Sequence, residues 1–169
     1  MGDIMTLYSQ DQINTIASKI KDVRFGMFTT VDDDNVPSSR PLTYQQVDNE
    51  GNIWFFTTDE AAFTQELARH PDVNVSFSNP DDKLYLSVTG QAYLLKDRAK
   101  ARELWTPPMK TWFPGGLDDP HLAMIRVRIQ TAEYWDASAN KMKQLIQRAR
   151  NALTGRHPTH IGRHTTICL

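Results

Sequence analysis

Apolar residues recur at two periods along this chain, and the change of period marks its elements. Ile13, Ile16, Ala17 and Ile20 fall at helical spacing behind Ser9 and Asp11, either of which can cap, so a helix is predicted over residues 9–22. From residue 23 the period drops to two. Residues 23–31 and 36–47 alternate around Asp32-Asp33-Asp34-Asn35, a hairpin signature, and 53–58 forms a third strand after the Asp48-Asn49-Glu50-Gly51-Asn52 turn. A short helix over 61–69 ends at His70-Pro71, because the residue before proline is pushed out of the helical region. Alternation returns over 73–77 and in a long strand over 84–95, whose Gly90 marks a bulge or sharp bend. Asp97 caps a helix running to about Trp105, residues 123–129 form a strand extending towards Trp135, and a closing helix is predicted over 138–153.

Six strands joined mostly by short turns, with helices at only two crossings, lack the strand–helix alternation of a parallel sheet. The pattern predicts a mainly antiparallel sheet closed on itself, with helices at its ends.

Residues 105–120 break the pattern. They hold Trp105, Trp112, four prolines and the pair Gly115-Gly116, which cannot continue a helix or strand. Such a run predicts a shaped loop whose indoles either cover the core or meet a planar ligand.

Composition narrows the class. With 169 residues, 40% hydrophobic and 23% charged, the chain suits one globular domain, here residues 1–155, followed by a tail, 156–169. A net charge of −1 gives no general attraction for nucleic acid or anionic lipid, and no apolar run has membrane-helix length. Cys168 is the single cysteine, so no internal disulfide forms; with no apolar block near residue 1, a cytoplasmic location is expected. His70, His121, His157, His160 and His164 show no metal-ligand spacing, and the last three fall in the tail, expected to be solvated and flexible. Asp32-Asp33-Asp34 lacks the glycine and terminal glutamate of a calcium loop, and Lys141, Lys143, Arg148 and Arg150 read as a solvated helix face.

Several motifs together resemble a known family. Ser38-Ser39-Arg40-Pro41-Leu42, the strand over 54–58, Ser87-Val88-Thr89-Gly90, Trp112-Phe113-Pro114-Gly115-Gly116 with Asp118-Asp119-Pro120, and Glu133-Tyr134-Trp135-Asp136 occur in the order seen in general stress proteins of the pyridoxamine-phosphate-oxidase-like, FMN-binding split-barrel superfamily. The resemblance covers about residues 10–145. It implies a mainly β fold, a six-stranded antiparallel split β-barrel with flanking α-helices, and a homodimer with two FMN sites between subunits.

The residues fit that implication. Flavin mononucleotide requires an anion pocket, a flat apolar slot and polar groups at its ring edge. Arg40 beside rigid Pro41 offers a fixed guanidinium, with backbone groups of Leu42 and Thr43 at the ring edge. Hydroxyls of Thr57 and Thr58 precede a helix start that favours an anion. Phe56 would wall the slot and Trp112, donated across the dimer, would cover it; similarity to the oxidase puts Trp135 near the cofactor. Each has a plainer reading: Arg40 as a partner of a neighbouring carboxylate, Thr57 and Thr58 as a strand end, Phe56 or Trp54 as core, and Trp105 as a core anchor.

Two departures stand out. Related proteins carry a basic phosphate anchor on the helix after the third strand, where this chain reads Glu60-Ala61-Ala62-Phe63; loss of such a contact, about 1.5–3 kcal/mol, costs roughly tenfold to a hundredfold in affinity. Trp135 is followed by Asp136-Ala137-Ser138 rather than the oxidase's arginine-rich motif, so oxidation of pyridoxamine phosphate is not expected. The expectation is a flavin-dependent oxidoreductase using a small-molecule or reduced-nicotinamide donor; its rivals are a flavin-storing protein without turnover and an empty barrel serving as an interaction module.

Overall fold

The computed structural model describes residues 9–136 and 163–168. Helix α1, Gln10–Ile20, starts at a capping box. Ser9 Oγ accepts from the Gln12 amide at 3.3 Å, and Gln12 Oε1 accepts from the Ser9 amide at 3.2 Å. Its apolar stripe, Ile13, Ile16 and Ile20, is buried, and Tyr44 Oη donates to the Ile20 carbonyl at 2.8 Å, tying the helix end to the sheet.

The strands are β1, Phe25–Val31; β2, Pro37–Val47; β3, Asn52–Thr58; β4, Asp72–Asn79; β5, Leu84–Leu95; and β6, Leu122–Asp136. They run antiparallel in the order β3-β2-β1-β4-β5-β6, and β3 pairs back onto β6 to close a six-stranded barrel. Both hairpin turns form as expected. Asp32 Oδ1 accepts from the Asp34 and Val36 amides, and Asp48 Oδ1 from those of Glu50 and Asn52, with Gly51 at φ 80°.

Alternation fills the interior. Phe28, Ile53, Phe55, Val75, Val88, Ile125, Val127 and Ile129 are wholly buried there, each such side chain contributing about 1.5–3 kcal/mol. The opposite face of β3 and β6 is covered too. Helix α3, Arg98–Leu104, capped by Asp97 as predicted, and two 3-10 turns, Pro107–Thr111 and Gly116–Asp118, lie over Trp54, Phe56, Leu122 and Met124. Burial on both faces explains why β3 is a continuous apolar run.

Strand β6 serves two partners on one edge. Its residues 122–128 pair with β3, while Thr131–Asp136 pair with a seventh strand, β7, Arg163–Cys168. That strand corrects the expectation of a free tail for 163–168, because Ile167 is buried in the core. Helix α2, Ala62–Glu66, is shorter than predicted, and the predicted helix over 138–153 lies outside the described residues. Among the described residues no helix is long and apolar enough to cross a membrane.

Candidate functional site

The first half of β2 pairs with β1, setting Arg40 opposite Phe28, Pro41 opposite Met27 and Thr43 opposite Phe25. Leu42 packs against the barrel core, and Arg40 shares its face. Arg40 Nη1 donates to Thr30 Oγ1 at 2.8 Å and Nη2 to Ser38 Oγ at 2.6 Å. Its guanidinium carbon lies 4.4 Å from the centroid of the Phe63 ring, on α2. Burial lowers its pKa, and the Glu66 carboxylate opposes that shift; the group stays charged near neutrality. Its hydrogen bonds thus run to two hydroxyls, not to a carboxylate on a neighbouring strand.

Thr57 follows Phe55 in facing the barrel interior and is buried. Thr58 Oγ1 is taken up within its own turn, accepting from the Glu60 amide at 3.3 Å, while the Thr58 carbonyl accepts from the Ala61 amide at 3.5 Å. Helix α2 holds five residues, no base, and an alanine at its cap with no side-chain bond, so its own contribution to anion binding is small.

Four polar side chains, Asp59, Glu60, Lys96 and His121, stitch this turn to the start of β6. Asp59 receives Lys96 Nζ at 2.5 Å and His121 Nδ1 at 3.1 Å; His121 Nε2 faces Glu60 at 3.6 Å, and Lys96 also donates to the Pro120 carbonyl at 2.8 Å. The Lys96 bond, then that of His121, holds the Asp59 carboxyl below its ordinary range. Sequence reasoning passed over this cluster, because its members come from separate elements.

The aromatic candidates divide. Phe56 sits under α3 at 5.8 Å from the Trp105 ring, edge to face, on the opposite face of β3 from Thr57. Trp105 is the core anchor the sequence suggested. In the loop between α3 and β6, Met109 and Phe113 are buried, yet Trp112 is 78% exposed. Backbone bonds from Trp112 and Phe113 to the Met109 carbonyl, both 3.0 Å, fix the turn that carries it. Trp135 is 41% exposed and pairs with Tyr85 of β5.

The structure therefore brings Arg40, Leu42 and Thr57 to one face of the barrel wall, and leaves Pro41 and Thr43 on the other. Phe56, Trp112 and Trp135 stand apart from Arg40 within one protomer's contacts. A cleft of about 190 Å³ between α3 and the second 3-10 turn, lined by Leu95, Arg98, Leu117, Asp119, Leu122 and Met124, contains none of the nine candidates. It is small beside the several hundred cubic ångströms that cofactor sites usually occupy. Among the described residues no group of His, Cys, Asp and Glu is arranged to hold a metal.

The closed six-stranded antiparallel barrel, whose sixth strand divides between β3 and β7, is a split-barrel architecture. The chain belongs to the pyridoxamine 5'-phosphate oxidase-like family, whose model matches residues 11–159. It is 29% identical over 158 residues to the protein bli-3 of Neurospora crassa, covering 88% of this chain and 76% of that one. A general stress FMN/FAD binding protein from Xanthomonas citri aligns with a TM-score of 0.64 and 29% identity over 76% of this chain and 90% of its own. The fold also matches a Clostridium acetobutylicum protein related to general stress protein 26, with a TM-score of 0.69 over 96% and 97% of the two chains and 15% identity.

Proposed function

We propose that this protein is a general-stress-type flavoprotein: a homodimer that binds FMN at two sites between its subunits and works as a flavin-dependent oxidoreductase. The observation that carries the reading is Arg40. Two of its five N–H groups go to Thr30 and Ser38, which leaves three donors on a planar, charged group beside Phe63 of α2. That donor set matches a phosphate monoester, which accepts bidentate, charge-assisted bonds. In this reading the backbone of Leu42 and Thr43 borders the ring edge, and Thr57 completes the polar wall.

The dimer accounts for what one protomer leaves exposed. Phe25 and Met27 of β1, Tyr85 of β5 and Trp135 of β6 are large apolar residues on the outer surface of the sheet, each between 41% and 52% exposed. Met27 lies between Pro41 and Ser76, and Ser76 lies opposite Ser87, so the band runs from Pro41 across the outer face of the sheet. Its burial between two copies would bring each protomer's Trp112 or Trp135 towards the other's flavin.

Bound FMN supplies reversible hydride transfer, with a small molecule or reduced nicotinamide as donor. The chain's own residues bind the phosphate, fix the ring and exclude water. A cytoplasmic setting agrees with the single cysteine.

Absorbance of the purified protein in the flavin bands tests the binding, and anaerobic bleaching by reduced nicotinamide tests the turnover. Protein that stays colourless and does not quench added FMN defeats the binding reading. A bound flavin that no reduced nicotinamide or other small donor bleaches defeats the enzymatic one.

A further inference from the structure

Helix α2 lies against the Arg40 guanidinium yet carries no cation. Its five residues are Ala62, Phe63, Thr64, Gln65 and Glu66, and the charge among them is negative. Too short to offer much of a dipole, and capped by Ala61 without a side-chain bond, α2 cannot hold an anion by itself. What it contributes is a surface. The Phe63 ring takes the guanidinium carbon at 4.4 Å, and on its own side Phe63 meets the wholly buried Phe28, with ring centroids 6.1 Å apart. The platform is therefore anchored to the barrel core.

Three contacts then fix the guanidinium. The Phe63 ring closes one side of it at 4.4 Å, and the bonds to Thr30 and Ser38 limit its rotation. The Thr30 side of the clamp is rigid, since Thr30 is buried. The remaining N–H groups project in a fixed plane, the geometry that a phosphate meets bidentately and a neutral ribityl hydroxyl does not reward.

We infer that Phe63 is a positioning residue that acts through Arg40, and that the Arg40–Phe63 pair, in place of a base on α2, sets the preference of this site for a phosphorylated flavin over riboflavin. The inference rests on the flavin site proposed above. The Phe63 side chain has no group that can bond phosphate, so a phosphate-specific effect of changing it that vanishes in an Arg40→Ala background must pass through the guanidinium. A merely structural role for Phe63 would affect both ligands alike.

The test is fluorescence titration of the full chain with FMN and with riboflavin. Wild type is expected to bind FMN more tightly. Phe63→Leu is expected to lose about tenfold in FMN affinity with riboflavin affinity held within about twofold, and Phe63→Tyr to restore the FMN preference. In an Arg40→Ala background the leucine substitution is expected to leave the FMN-to-riboflavin ratio unchanged, as required of residues acting in series. Equal loss of both ligands in Phe63→Leu, or an unchanged ratio in the otherwise wild-type chain, overturns the inference while leaving a flavin site standing. Absence of binding by either flavin to wild type instead removes the site itself. Should Phe63→Leu fail to fold, Phe63→Met keeps the bulk over Phe28 without the ring and carries the same expected outcomes.

Discussion

A β-carbon placed on Gly90 would lie 2.2 Å from the carbonyl oxygen of Arg128. At this point the β5–β6 register shifts, since Thr89 pairs with Thr131 but Gly90 pairs with Ile129, so Gln130 is the extra residue of a bulge. The backbones approach too closely for any side chain, and the obstacle is main chain rather than a flexible tip. Gly90→Ala is expected to lower stability by about 2–3 kcal/mol, seen as an earlier urea midpoint with unchanged slope. An unchanged midpoint would mean that β6 relaxes at the bulge.

Two carboxylates, the exposed Asp33 and the partly buried Asp59, give the protein a predictable acid response. The His70 hydrogen bond lowers the pKa of Asp33, with Arg69 adding to it, and Lys96 then His121 lower that of Asp59, both from an ordinary 3.8. A carboxyl whose folded pKa is depressed contributes stability fully above its unfolded value and loses it as pH falls through the folded one. The thermal midpoint is therefore expected to hold between about pH 7 and pH 5 and to fall below about pH 4. Asp59→Asn should flatten part of that fall. An equally steep fall in this variant would assign the acid sensitivity to other groups.

The sequence carried what is local. Alternation located β1 to β6, Ser9 and Asp97 marked helix starts, and Gly90 marked the bulge, because each depends on neighbouring residues alone. In β3 the alternation marked one face as core and left Phe56 between a ligand slot and the core, because what covers the second face, including Trp105 against Phe56, comes from a distant element. Strand β7 had no periodic signal of its own, because its register is set by pairing with β6, where Ile167 is buried. The contact of Arg40 with Phe63, and of Asp59 with Lys96 and His121, had no signal at all, since tertiary folding alone brings those elements together.

Met27 offers a direct test of the second subunit. Its side chain is 44% exposed on β1, between Pro41 and Ser76, in the apolar band of the proposed dimer interface. A charge there stays hydrated in a monomer but is desolvated without a partner in an interface. Met27→Glu is expected to change protomer stability by no more than about 0.5 kcal/mol while weakening self-association at least tenfold, as read by sedimentation velocity. FMN affinity should decline in parallel if both subunits build each site. A variant that remains fully dimeric would move the interface to another face.

Trp112 separates a ligand-facing indole from a structural one. Its neighbours Met109 and Phe113 are buried in the cluster under α3, whereas Trp112, bonded through its amide to the Met109 carbonyl, leaves 78% of its surface in solvent. Removing a side chain so exposed takes little from the protomer, so Trp112→Ala is expected to shift the unfolding midpoint by less than the equivalent of about 0.5 kcal/mol. Stacking of an indole on a planar ring is worth about 0.5–1.5 kcal/mol beyond area burial, so flavin affinity should drop roughly threefold to tenfold or more. The loss should be alike for FMN and riboflavin, because an indole reads the ring and not the phosphate. That equality sets Trp112 apart from Phe63, whose substitution is expected to affect only the phosphorylated ligand. If Trp112→Ala binds both flavins as tightly as wild type, the indole covers neither.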